Sequence, residues 1–254
     1  MCGRNQRLLY MHANFQLNTV LIGGITGGIG QCLAEQLSAS GVTVAGFSRH
    51  GSQQPQVTQC DATKPDELAH FFSTAAAQYG QIDAYVHAIG SIYLKPAHLT
   101  PAAEWMEVIQ QNLSSAFFAL SEAIKYMPKQ GGGKLLFFSS TAAQTGIASH
   151  EAIAAAKGGI EAMIRAAAAT YAPRNICINA IAPTLTDTPL SQAFTSNPKS
   201  LEISKRMHPL GQIAAPADIA SLAHWLLSDH AKLVTGQTFV VDGGLSSIVP
   251  KPRT

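Results

Sequence analysis

Thr19-Val20-Leu21-Ile22-Gly23-Gly24-Ile25-Thr26-Gly27-Gly28-Ile29-Gly30 is the stretch on which the reading of the fold turns. A short β-branched, apolar run makes a strand buried on both faces, glycines follow it, and residues 28–40 carry the spacing of an apolar-faced helix. Glycines let a backbone approach a pyrophosphate, and the first turn of a helix offers N–H groups that lack partners inside the helix. Strand, glycine turn and helix in that order predict a phosphate-binding turn at the start of an α/β chain.

Outward from this turn the alternation continues. Apolar runs at 19–22, 42–47, 56–60, 82–87, 134–138, 176–181 and 238–241 read as seven strands. Segments at 28–40, 65–79, 101–127, 150–171 and 216–228 are long enough to be crossover helices. A doubly wound parallel sheet flanked by helices follows, in one domain spanning 17–254 after a short leader at 1–16. Residues 183–215 lack a clear period and exceed an ordinary connection, which predicts a substrate loop.

The chain has 254 residues, 46% of them apolar, 13% charged and 7% aromatic, with a net charge of +2. At this size about 70% of the unfolded surface can be buried without covalent staples. Few charges imply that other subunits cover part of the surface, and the balanced charge excludes a nucleic-acid or anionic-membrane footprint. Cys2, Cys32, Cys60 and Cys177 form no C-x-x-C, and the nine histidines have no metal-ligand spacing, so no metal is expected. No apolar run resembles a signal peptide or a span, and a cytoplasmic location is expected.

The glycine spacing is G-x-x-x-G-x-G, through Gly24, Gly28 and Gly30. Further along come Asn179-Ala180-Ile181-Ala182-Pro183, Thr188-Pro189, Thr235-Gly236-Gln237 and Val241-Asp242-Gly243-Gly244. In these motifs residues 18–246 resemble the short-chain dehydrogenase/reductase family, with Gly23 in place of the threonine that opens its glycine motif. The resemblance implies a Rossmann-type fold and a nicotinamide cofactor held by Gly24, Thr26, Gly28, Ile29 and Gly30, by Asp61 at the adenine, by Ala88 and Gly90, and by Pro183 and Thr188. Where such folds usually carry an acid for the ribose 2′-hydroxyl, this chain has Ser48-Arg49-His50. With no carboxylate there, the forked guanidinium of Arg49 suits a 2′-phosphate, and NADP(H) is the expected cofactor. His87, within a loose match to the family's N-N-A-G, reads as a satisfied histidine at the end of a strand.

At the reacting end, the resemblance places Ser140, Lys157 and Asn112 on the family's catalytic positions. The tyrosine four residues before the lysine is absent, and Ile153 stands there. Reducing a carbonyl builds an alkoxide, and a positioned acid contributes about 10² to 10⁴-fold to such a step. Three readings stay open. In the first, another group supplies the proton: His150 precedes Lys157 by seven residues, which brings it within about 20° of the same helix face. That spacing resembles the bacterial enoyl reductases of the superfamily, whose tyrosine precedes the lysine by seven; against it, His150 also reads as an exposed first-turn residue next to Ser149 as N-cap. Alternatively the substrate is a conjugated carbonyl protonated from water, or the chain binds cofactor or a partner subunit without turnover. Leu190, Phe194, Leu201, Ile203, Met207 and Leu210 give the 183–215 loop an apolar side, which suits a small hydrophobic carbonyl substrate or plain packing. The helices at 101–127 and 150–171 match the family's subunit contacts, implying a homotetramer or homodimer.

Overall fold

The computed structural model describes residues 17–127 and 132–250; the leader expected over 1–16 lies outside the described residues. Seven parallel strands form one sheet in the order β3-β2-β1-β4-β5-β6-β7. They are β1 (Thr19–Gly23), β2 (Thr43–Ser48), β3 (Val57–Gln59), β4 (Ala84–His87), β5 (Gly133–Phe138), β6 (Ile176–Pro183) and β7 (Thr238–Val241). Strand order reverses between β1 and β4, and the carboxyl ends flanking such a reversal form the crevice where open α/β sheets bind ligands.

Side-chain alternation along β1 divides the core into two halves. Val20 and Ile22 pack with α1 (Gly28–Ala39) and α8 (Pro216–Leu227) on one face, whereas Leu21 packs with α2 (Pro65–Tyr79), α4 (Ser115–Tyr126) and α5 (Glu151–Tyr171) on the other. Leu33 and Leu37 of α1 are fully buried, each worth about 1.5–3 kcal/mol of burial. Lys134 of β5 donates to the carbonyls of Leu226 and Ser228, partnering carbonyls left over at the C-terminus of α8.

Two expected elements differ. The helix expected over 101–127 is α3 (Ala102–Ile109) and α4, joined by a π-helical turn over Gln110–Ser114. There Asn112 Nδ2 donates to Val108 O, and Ser115 Oγ donates to Gln111 O, so two side chains compete for the helix's own carbonyls. The 183–215 segment is not irregular throughout. It carries two short helices, α6 (Gln192–Thr195) and α7 (Pro198–Met207), the second capped by Asn197 Oδ1 accepting from the N–H groups of Lys199 and Ser200.

Candidate active site

The glycine turn leaves no room for side chains. A Cβ on Gly24, whose φ is +79°, would lie 2.6 Å from Ala88 O, and one on Gly30 would lie 2.3 Å from Gly24 O. One on Gly28 would meet Thr188 Cγ2 at 2.7 Å, so Thr188 lies directly over the turn. Gly27 caps α1 with no side chain, and the first turn carries no acid, so the N–H groups there face no competing anion. Thr26 is exposed beside this turn, and Ile29 lines the cleft described below.

At the far side of the turn, Ser48 Oγ donates to Gly51 O at the end of β2, and Arg49 is exposed. Asp61 Oδ1 accepts from the N–H and the hydroxyl of Thr63 at 2.9 and 2.8 Å. Partial burial opposes its ionisation, yet these bonds, with the positive charges of Arg49 and Lys64, hold its carboxyl below the usual range.

Ala88, Gly90, Ser140, Ile153, Lys157 and Thr188 contribute to one cleft of about 340 Å³ at the carboxyl edge of the sheet. Its floor is organised around Gly90, where a Cβ would lie 3.1 Å from Asn112 Oδ1 and 3.2 Å from Lys157 Nζ. Asn112 is fixed by both ends of its amide: Oδ1 accepts from Ser91 N at 2.9 Å, and Nδ2 donates to Ser91 Oγ at 2.8 Å. Lys157 is 6% exposed and donates to Phe138 O at 2.9 Å. Burial lowers its pKa from 10.5 to about 8, because no carboxylate offsets the desolvation of the ammonium. Ser140 Oγ accepts from Ala142 N at 3.2 Å, which leaves its own hydrogen for another acceptor.

Beneath this floor runs a one-way hydrogen-bond chain. Ser115 Oγ donates to Gln111 O, so it accepts from His87 Nε2, and His87 Nδ1 accepts from Tyr85 Oη at 2.8 Å. Burial and the charge of Lys157 lower the His87 pKa to about 3, so the ring stays neutral and structural, as its position at a strand end suggested.

Ile153 is buried with Val108, Ala152 and Ala156, and Tyr93 packs against the same cluster. The Tyr93 hydroxyl donates to Glu104, which also pairs with Lys95 at 2.8 Å, so this phenol is anchored on α3. His150 lines the cleft, but it is the N-cap residue of α5 and not part of its first turn. Ser149 is not the cap: it sits at φ +63°, and its carbonyl accepts from Lys95 N at 2.9 Å. His150 Nδ1 lies 2.8 Å from Ala148 O, so Nδ1 carries a hydrogen and Nε2 is the nitrogen left for other contacts.

Two other arrangements leave no signal in the sequence. Ser139 Oγ donates to the buried Glu161 at 2.7 Å, tying β5 to α5 one turn beyond Lys157. In the cleft wall, Thr184 Oγ1 lies 2.6 Å from Nε2 of His208, which is 3% exposed. Of the apolar loop residues, Leu190, Phe194 and Met207 line the cleft and Leu201, Ile203 and Leu210 do not, while Leu190 and Met207 are exposed to solvent as Ile203 and Leu210 are. Among the described residues no cluster of His, Cys, Asp and Glu could hold a metal, and no helix is long and apolar enough to cross a membrane.

A glycine cradle at the switch point of a parallel sheet, opening onto a cleft with a buried lysine, defines a dinucleotide-dependent oxidoreductase architecture. The chain belongs to the short-chain dehydrogenase/reductase family: the family model described as Enoyl-(Acyl carrier protein) reductase matches residues 24–246. It is 29% identical to 3beta-hydroxysteroid dehydrogenase 1 of Eggerthella lenta, over 93% of this chain and 96% of that one. It is 31% identical to 2-(S)-hydroxypropyl-CoM dehydrogenase 3 of Xanthobacter autotrophicus, over 87% and 84%. The ligand-free aldohexose dehydrogenase of Thermoplasma acidophilum superposes with a TM-score of 0.87 at 28% identity, covering 94% of this chain and 98% of that one. The protein is thus an oxidoreductase of the short-chain type, a family that binds nicotinamide cofactors.

Proposed function

We propose that this chain is an NADP(H)-dependent reductase of carbonyl or enone substrates that works without the family's phenolic proton donor. The observation that carries the reading is the convergence of Asn112 and Lys157 on Gly90, at the floor of a cleft that Ser140 also lines. The glycine cradle fits a pyrophosphate, since a methyl at any of Gly24, Gly28 or Gly30 would collide with its surroundings. Residues 17–250 act as one unit in this reading. Ser48 and Arg49 would hold a 2′-phosphate, Asp61 the adenine, Ala88 and Pro183 the nicotinamide, and Thr188 the phosphates.

When bound, the reduced cofactor supplies a hydride to the electrophilic carbon of the substrate. Ser140 donates its unused hydrogen to the substrate oxygen and stabilises the negative charge that develops there. Lys157 would hold the cofactor ribose and adds positive potential, and Asn112 ties the π-turn to Ser91 in the loop after β4. The proton comes from His150 or from water, since Ile153 has none to give. Because Nδ1 of His150 is committed to Ala148 O, Nε2 delivers a proton only from the imidazolium. The apolar walls favour a small, largely hydrophobic substrate. Exposed Trp105, Met106 and Phe117 on α3 and α4 support a homo-oligomer, and a cytoplasmic location belongs to the same reading.

The test is NADPH oxidation with a panel of ketones and enones, run on the parent protein and on His150→Ala. We expect turnover with at least one class and a fall of about tenfold or more in the variant. An unchanged rate in His150→Ala assigns the proton to water. Stabilisation by NADPH without turnover on any member, together with ketone reduction gained in Ile153→Tyr, would replace the reductase by a cofactor-binding protein.

A further inference from the structure

The cleft's hydroxyl groups differ in where their hydrogens go. Ser140 Oγ accepts from Ala142 N and gives its hydrogen to no protein atom, so it faces a ligand as a donor. On the wall formed by the loop after β6, the pattern is reversed. His208 Nδ1 lies 2.6 Å from Ser204 O, and a carbonyl can only accept, so Nδ1 bears a hydrogen, and a ring with that one hydrogen has a bare Nε2. The hydroxyl of Thr184 must therefore donate to that nitrogen, at 2.6 Å. The next hydroxyl along, Thr186 Oγ1, donates to Thr184 O at 3.0 Å, and Ser191 Oγ is turned inward towards the Thr186 and Thr188 carbonyls. Each of these side chains lines the cleft, and each has its single hydrogen committed within the loop.

The His208 ring cannot turn away easily. It is 3% exposed, and both nitrogens are engaged. Gly243 and Gly244 have φ of +59° and +89°, and Asp242 fixes this turn by accepting from Gly244 N and Ser246 N at 2.9 and 2.8 Å. Thr184 lines the cleft, and with its hydrogen given to His208 its oxygen offers only lone pairs there.

We infer that the Thr184–His208 pair is a recognition site for a hydroxyl group on the substrate, so that the natural substrate is a hydroxy-carbonyl compound, with its carbonyl at Ser140 and its hydroxyl donating to Thr184. Thr184 makes the contact and is the specificity-determining residue; His208 is a positioning residue that keeps Thr184 an acceptor. A second carbonyl or a carboxylate at that wall would face oxygen lone pairs with no hydrogen between them, and is disfavoured. A plain methylene there would leave the Thr184 oxygen desolvated and unpartnered, which is the means by which such sites reject deoxy analogues.

The inference rests on the reductase reading, and two measurements separate their failures. The first is kcat/KM with NADPH for matched ketones: acetone against hydroxyacetone, 2-pentanone against 5-hydroxy-2-pentanone, and cyclohexanone against 4-hydroxycyclohexanone and 1,4-cyclohexanedione. The parent protein should favour the hydroxylated member of at least one pair by about tenfold, mainly through KM. Thr184→Val should bring that ratio to within about twofold of one, and Thr184→Ser should restore it. His208→Leu frees the Thr184 hydrogen and should turn the preference from 4-hydroxycyclohexanone towards the dione, an inversion that a merely structural histidine would not produce. Equal or lower kcat/KM for every hydroxylated member, or a ratio unmoved by Thr184→Val, overturns the inference. If no ketone turns over, the reductase reading fails by itself and the second measurement decides: 4-hydroxycyclohexanone should raise the melting temperature of the NADPH-saturated protein more than cyclohexanone does, and Thr184→Val should abolish the difference. Equal shifts in the parent protein refute the site.

Discussion

Replacing Lys157 by methionine should make the folded protein more stable at neutral pH while impairing its chemistry. The ammonium is buried, hydrogen-bonded to Phe138 O and without a carboxylate partner, and its pKa falls from 10.5 to about 8. At about 1.4 kcal/mol per pH unit, keeping the proton on this group in the folded state at pH 7 costs roughly 3 kcal/mol. Methionine preserves the stem and removes the charge but leaves the Phe138 carbonyl without its donor, a loss of about 1–2 kcal/mol. The net gain is about 1–2 kcal/mol, or about 2–8 °C in melting temperature for a chain of this size. The sign with pH is definite. Below pH 8 the cost is fully present. Between pH 8 and 10.5 the unfolded chain holds a proton that the folded chain has released, so the parent protein gains stability as pH rises, whereas the variant does not. Urea unfolding of both proteins at pH 7, 9 and 10 reads this directly, and NADPH-dependent turnover of the variant should fall at least a hundredfold. A variant less stable than its parent at pH 7, or a stability gap that stays constant from pH 7 to 10, would show that the lysine is not the desolvated cation described here.

Removing the guanidinium in Arg49→Ala should raise KM for NADPH about tenfold or more and change that for NADH by less than twofold, measured by cofactor titration. Phe117, one of the apolar residues of the proposed subunit contact, is 55% exposed on α4. Phe117→Glu should lower the assembly mass seen by light scattering without changing the monomer's circular dichroism, and an unchanged mass would remove this face from the contact.

The elements that could be read from sequence are those set by local chemistry. The glycine turn and its flanking strand and helix follow from residues within twelve positions of one another, and Gly23, Gly24, Gly28 and Gly30 each answer a contact that a side chain would violate. What escaped depends on partners far along the chain. The π-turn at 110–114 needs the Asn112 amide to meet Ser91, 21 positions away, and the hydroxyl of Ser115 to meet His87, 28 positions away, and neither pairing leaves a periodic signal. Ser149 has the composition of an N-cap, but its carbonyl is taken by Lys95 N, and this tertiary bond accompanies the left-handed conformation that hands the cap position to His150. Thr184 and His208 are 24 residues apart on a segment with no period, so their pairing emerges only when α7 folds back against the end of β6.

These long-range bonds bear on why the missing phenol need not abolish chemistry. Ile153 does not leave a hole: it completes an apolar wall with Val108, Ala152 and Ala156 and supports Tyr93, whose hydroxyl is drawn away to Glu104. The polar tasks of the site are carried by groups whose orientation is fixed elsewhere. Asn112 is held by Ser91, Lys157 by Phe138, and Thr184 by His208, and each donor or acceptor role follows from which atom already holds the hydrogen. In the proposed mechanism Ser140 is the donor towards the substrate oxygen, and stabilising a developing negative charge requires a donor more than a transferable proton when water can complete the step. In this arrangement the acid becomes separable from the oxyanion contact, so loss of Ser140's hydrogen should harm hydride transfer more than loss of His150, a ranking that single-turnover rates of Ser140→Ala and His150→Ala can reverse.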